Sequence, residues 1–153
     1  MNIEDILVSD LVFSDFKASS KKQLLQSLSR RWCALNGLDE RLVMEKLLER
    51  ERLGSTGVGK GVAIPHARLP GISKITGVFA RLATAVDFDS VDDLPVDIVF
   101  MLFAPEDAGA DHLKALAQIS RLLRNNGTCD SFRQTADPSA LYAMLVQPIT
   151  TAA

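Results

Sequence analysis

Cysteine is scarce in this chain of 153 residues: it has two, Cys33 and Cys129, too far apart to form a CxxC pair. That spacing offers neither a metal knuckle nor a redox motif, and both are read as reduced thiols in the core of a cytoplasmic protein. A surplus of charge of one sign is also missing, because 17 Lys and Arg stand against 19 Asp and Glu for a formal charge of -2. Proteins that bind a phosphate backbone usually carry a basic stripe, so nucleic acid is not an expected partner. No apolar run is long enough to insert in a membrane, and Met1-Asn2-Ile3-Glu4-Asp5 has acid where a signal peptide carries base. Repeats, low-complexity tracts and linkers are absent as well. What remains, 47% hydrophobic and 24% charged residues, is a globular composition. The expectation is one cytoplasmic domain over 1–153 with its core at about 6–146, long enough to bury roughly two thirds of its unfolded surface.

Along the chain, Ser19 and Ser20 offer caps to a helix carrying Leu24, Leu25, Leu28, Trp32 and Leu35 inward, and Gly37 stops it. A second helix starts near Asp39, presents Leu42, Val43, Leu47 and Leu48, and ends in the charged run Glu49 to Arg52 ahead of Gly54. Val62-Ala63-Ile64 is a short strand, which Pro65 brings to an end at His66 because proline withholds a ladder donor. Ile75 to Leu82 reads as a strand, and the near-continuous apolar run Val96 to Phe103 reads as one covered on both faces. Asp111 can cap a helix whose inward positions are Leu113, Leu116, Ala117, Ser120 and Leu123, ended by Asn125-Asn126-Gly127. Asp137-Pro138 opens a last helix through Leu141, Leu145 and Val146. The expected fold is α/β, a mixed β-sheet flanked by helices on both faces.

The chemistry concentrates between Gly54 and His66. Gly54 to Lys60 imitates a phosphate-binding P-loop but fails its context twice. Gly61 replaces the Ser or Thr that holds magnesium, and the order is helix, loop, strand instead of strand, loop, helix. The same glycines suit a loop whose amides, with the Ser55 and Thr56 hydroxyls, face a small anion. His66 follows at a strand end, where α/β sheets place ligand crevices, and a neutral imidazole is a competent nucleophile toward phosphorus. His112, the other of only two histidines, falls in the first turn of a helix, where unpaired amides favour an anion. Arg50 or Arg52 supplies a guanidinium to clamp a phosphoryl group, and spacing does not choose between them. Metal-ligand spacing is absent, Asp87, Asp89, Asp92 and Asp93 read as a solvated acidic edge, and no G-x-S-x-G elbow is present.

The segment Arg50 to His66, with Gly54-Ser55-Thr56-Gly57, Gly59, Gly61 and Ala63-Ile64-Pro65-His66, resembles the IIA components of the phosphoenolpyruvate-dependent sugar phosphotransferase system. The similarity is closer to the nitrogen-regulatory branch than to the mannitol and fructose domains, and it extends from about Ser19 to Ala143. The resemblance implies a mixed sheet flanked by helices, no cofactor, and no ATP. It implies that His66 accepts a phosphoryl group from the phosphohistidine of an HPr-type phosphocarrier, with His112 as the second active-site histidine and Arg50, in preference to Arg52, as the active-site arginine. Ala67-Arg68 departs from the Gly-Lys often found there. A phosphorylation-dependent regulator is the expected role, and a sugar-specific IIA component that passes phosphate to a IIB protein is the alternative. Leu69, Pro70 and Ile72, edged by Lys60 and Arg68, are the expected apolar rim for the donor protein.

Overall fold

The two longest β-rich runs form the spine of the molecule. In the computed structural model, which describes residues 2–147, two 3-10 turns (Ile3–Asp5 and Ser9–Leu11) precede β1 (Val12–Phe16), α1 (Lys21–Asn36) and α2 (Glu40–Arg52). Then come β2 (Gly57–Gly59), β3 (Val62–Ala63), β4 (His66–Leu69), β5 (Thr76–Val86) and β6 (Val96–Pro105), followed by α3 (Ala110–Leu123), α4 (Asn126–Gln134) and α5 (Pro138–Val146). The strand order is β1-β5-β6-β3-β2, with β4 also paired to β6. β5 runs antiparallel to β6 and β2 to β3, while β1 pairs in parallel with β5, and β3 and β4 in parallel with β6. The sheet is therefore mixed.

Alternation along β6 sends its side chains into two cores. Val99, Met101 and Phe103 join Leu24, Leu25, Leu28 and Trp32 of α1 and Val43 and Leu47 of α2. Ile98, Phe100, Leu102 and Ala104 join Ala115 and Ile119 of α3, Phe132 of α4, and Leu141 and Leu145 of α5. Each fully buried large side chain contributes roughly 1.5–3 kcal/mol relative to exposure, so covering both faces is what holds this sheet. Helices thus flank it on both sides, as the unbroken apolar pattern of Val96 to Phe103 requires.

Helix ends follow the sequence closely for α1, α2 and α5. Ser20 Oγ accepts from the Gln23 amide at 3.1 Å, and Gly37 closes α1 at φ 70° in the left-handed region that glycine adopts without strain. Asp39 caps α2 at the Arg41 amide, and Asp137 caps α5 with Pro138 in its first turn. Leu35, expected inside, is 52% exposed, and Cys33 is buried on that face instead. α4 was not expected. Asn125-Asn126-Gly127 does end one helix, but the Asn125 side chain also caps the next one at the Thr128 amide.

The strand through Val62 does not stop at the histidine. Partners run Val62 to Ile98, Ala63 to Val99 and then His66 to Leu102, a constant offset across the gap. Pro65 has no donor, yet its carbonyl still accepts from the Leu102 amide at 2.8 Å, so pairing lapses briefly and resumes in register. His66 opens β4. The Ile64-Pro65 bond is trans, as is every peptide bond among the described residues.

Candidate active site

β4 pairs only with β6 among the described residues, so its free edge leaves a cleft between the two helical layers. Arg50 enters from the last turn of α2 on one side, and His112 from the first turn of α3 on the other. The cleft holds about 450 Å³ and is lined by Arg50, His66, Arg68 and His112 with Leu53, Leu113 and Leu116 around them. Arg50 Nε donates to His66 Nε2 at 3.1 Å, and Arg50 Nη1 donates to the Gly54 carbonyl at 2.9 Å. On the other side of the ring, His66 Nδ1 lies 2.9 Å from the Ile64 carbonyl oxygen. A carbonyl only accepts, so Nδ1 carries the proton and Nε2 the lone pair, in agreement with the Arg50 bond. Of the two arginines, Arg50 is the one brought to the His66 ring, while Arg52 is exposed.

The His112 ring stands edge-on to His66, with centroids 5.6 Å apart. It is 5% exposed, and its Nε2 has no hydrogen-bond partner. A buried nitrogen left unpaired costs free energy, so this atom retains unused bonding capacity beside the His66 ring. Burial is the first cause that lowers the His112 pKa, to about 4, with the nearby His66 and Arg68 adding to it. For His66, burial again lowers the pKa first, the Ile64 carbonyl offsets part of it, Arg50 lowers it and Glu51 raises it. Both imidazoles are neutral near pH 7, the form in which His66 Nε2 carries a lone pair.

α3 differs from expectation in start and facing. Its cap is Gly109, at φ 58°, and Asp111 lies inside the first turn. The chain must turn from the loop through that left-handed conformation, which glycine takes readily. Consequently His112, Ala115, Ile119 and Leu123 are buried, and Leu113 is 66% exposed at the cleft. Periodicity gave no way to choose between two overlapping apolar stripes, because small Ala115 packs against the sheet as readily as leucine does elsewhere.

The hydroxyls of the glycine-rich loop are engaged within the protein. Ser55 Oγ donates to the Phe88 carbonyl and accepts from the Gly57 amide, while the Thr56 hydroxyl and amide both donate to Glu51. The Lys60 amide is taken by Asp92. Ser55 and Thr56 are thus not brought into the cleft, because their hydroxyls are turned to Phe88 and Glu51. The expected apolar rim also moves. Leu69 is fully buried under α1 and α2, Ile72 packs against that core, and neither they nor Pro70 and Lys60 line the cleft. Leu53, 84% exposed, and Leu113 take that place. Sequence reading missed Leu53 because a lone leucine after a charged helix end is ordinary surface.

Residues 5–147 match the family described as phosphoenolpyruvate-dependent sugar phosphotransferase system, EIIA 2. The chain belongs to this family. It is 51% identical over 153 residues to a nitrogen regulatory protein of Bradyrhizobium diazoefficiens, covering 100% of both chains. It is 36% identical over 111 residues to the fructose-specific EIIA component of a phosphotransferase system in Haloferax volcanii, covering 72% of each. The crystal structure of nitrogen regulatory protein IIA-Ntr from Neisseria meningitidis superposes with a TM-score of 0.88 at 34% identity, over 94% of this chain and 98% of that one. Membership of this EIIA family makes the chain a phosphotransfer component, and among the described residues no helix is long and apolar enough to cross a membrane.

Proposed function

We propose that this EIIA protein accepts a phosphoryl group on His66 Nε2 from an HPr-type phosphocarrier and acts as a phosphorylation-dependent regulator. The observation that carries the proposal is the His66 ring itself. Its proton is held at Nδ1 by the Ile64 carbonyl, and its lone pair faces the cleft beside Arg50. Transfer is an in-line displacement between two imidazoles. The Nε2 lone pair forms a bond to the donor's phosphorus, the donor's N–P bond breaks, and that electron pair returns to the leaving ring. The His66 ring gains positive charge as the bond forms, and the Ile64 oxygen on Nδ1–H stabilises it. Once Nε2 is bonded to phosphorus, the Arg50 donors shift to phosphoryl oxygens, where a planar guanidinium matches the anion. The unpartnered Nε2 of His112 and the N-terminus of α3 provide further donors for the same charge. Positioning and charge stabilisation then suffice without nucleotide or metal.

The donor docks over the cleft on Leu53, Leu113 and Leu116, with Arg68 at the edge. The regulatory role is supported by the relatives named nitrogen regulatory proteins, and the fructose-specific relative favours a second reading, onward transfer to a IIB protein. Incubation with phosphoenolpyruvate, enzyme I and the HPr-type carrier tests the first proposal, with acid-labile label expected on the wild type and none on His66→Ala. Undiminished labelling of that variant would sink it. Rapid discharge to a IIB protein would favour the second reading, and a stable phosphoprotein in its presence the first.

A further inference from the structure

Thr56, expected at the anion, is joined instead to the back of the reacting ring. Its amide donates to Glu51 Oε2 at 3.1 Å, its hydroxyl donates to Glu51 Oε1, and its carbonyl accepts from the Ile64 amide at 3.0 Å. The Ile64 carbonyl then receives the Nδ1 proton of His66 at 2.9 Å. The Glu51 side chain is 6% exposed, and Lys21 Nζ stands 2.8 Å from Oε2. A carboxylate this far from water persists only when paired and hydrogen-bonded. Both of its oxygens are engaged here, and both donors of Thr56 are spent on them.

We infer that Glu51 and Thr56 are positioning residues for His66, clamping the Gly54–Gly57 loop so that the Ile64 carbonyl holds the ring in the Nδ1–H tautomer with Nε2 aimed into the cleft. The inference rests on the reading of His66 as phosphoryl acceptor. Its chemical basis is direct: a ring protonated at Nε2 has no lone pair there and meets the Arg50 donor with another N–H. Any loosening of the Ile64 carbonyl therefore populates a form that cannot attack. Glu51 also follows Arg50 on the same helical turn, so one clamp sets both the ring and the helix end from which the guanidinium reaches. A side chain that only held the fold would lower the amount of folded protein and leave the folded fraction fully reactive.

Thr56→Val deletes the hydroxyl while keeping shape and amide, Thr56→Ser restores the hydroxyl, and Glu51→Gln removes the charge. Ring nitrogen NMR of His66 reads the tautomer, and phosphorylation rates over a range of carrier concentrations separate kcat from KM. For Thr56→Val and Glu51→Gln the Nε2–H form should rise and kcat should fall about 10- to 100-fold, the cost of misplaced reacting groups. KM for the carrier should hold, and Thr56→Ser should restore the rate. Unchanged ring spectra with unchanged kcat would overturn the inference, as would a loss confined to KM. Should Glu51→Gln not fold, the Val and Ser pair at Thr56 decides. If wild-type His66 takes no phosphoryl group, the acceptor reading fails, and the ring spectra still decide whether Glu51 and Thr56 control the tautomer.

Discussion

Acid should weaken this protein through His112, and replacing that ring with leucine should remove the effect. Its pKa in the fold is lowered to about 4 from 6.5, chiefly by burial, so between those values the unfolded chain binds more protons than the folded one. The stability that the neutral ring permits is complete above about pH 6.5, declines as pH falls, and is gone below about pH 4. From these two values, His112 costs the native state about 2 kcal/mol at about pH 5 relative to neutral pH, and about 3 kcal/mol near pH 4. The shift at His66 has the same sign and is shared by wild type and variant. Urea unfolding followed by fluorescence suits the test, because the single tryptophan, Trp32, is fully buried with its ring centroid 4.5 Å from that of Phe103. The wild type should lose about 2 kcal/mol more than His112→Leu between neutral pH and about pH 5. Parallel curves for the two proteins would refute the reasoning, since they would mean that the ring charges inside the fold without penalty.

Arg50→Lys should slow phosphorylation about 100-fold or more in single-turnover assays, because an ammonium does not reproduce the fork that reaches both His66 and Gly54. Arg50→Met should raise the His66 pKa in an NMR titration, since Arg50 is among the causes that lower it. Leu113→Glu should leave the unfolding midpoint unchanged while raising KM for the carrier, because this exposed residue lines the cleft without entering the core. Gly57→Ala should destabilise by roughly 1–3 kcal/mol, because its Cβ would collide with Ser90 Oγ. Ser90→Gly in the same chain should recover part of that loss in urea unfolding, and it also deletes a buried hydroxyl that has no partner.

Much of the site was legible one residue at a time. His66 announces itself through the proline before it and the short apolar strand leading in, and His112 through its place early in a helix; each signal is local. The two-faced burial of β6 was readable for the same reason, since an unbroken apolar run needs cover on both sides. The placement of Ser55 and Thr56 was not legible, because a hydroxyl beside glycines reads alike whether it meets an anion or a neighbouring protein group. The Thr56 partner Glu51 lay inside a charge run that reads as solvated helix end, and nothing local shows that Lys21, 30 positions away, enters that run.

Local pattern in the chain was enough for the α/β class, for the main helices and strands, and for singling out His66 as a candidate. These depend on propensity, periodicity and the backbone limits of Gly and Pro, which act over a few residues. The tautomer of His66, the facing of α3, the exposed Leu53 and Leu113 and the Lys21–Glu51–Thr56–Ile64 linkage came from the packed molecule. They depend on which donors are left without water and which partner stands nearest. Burial and distance set both, and these exist once the helical layers close on the sheet.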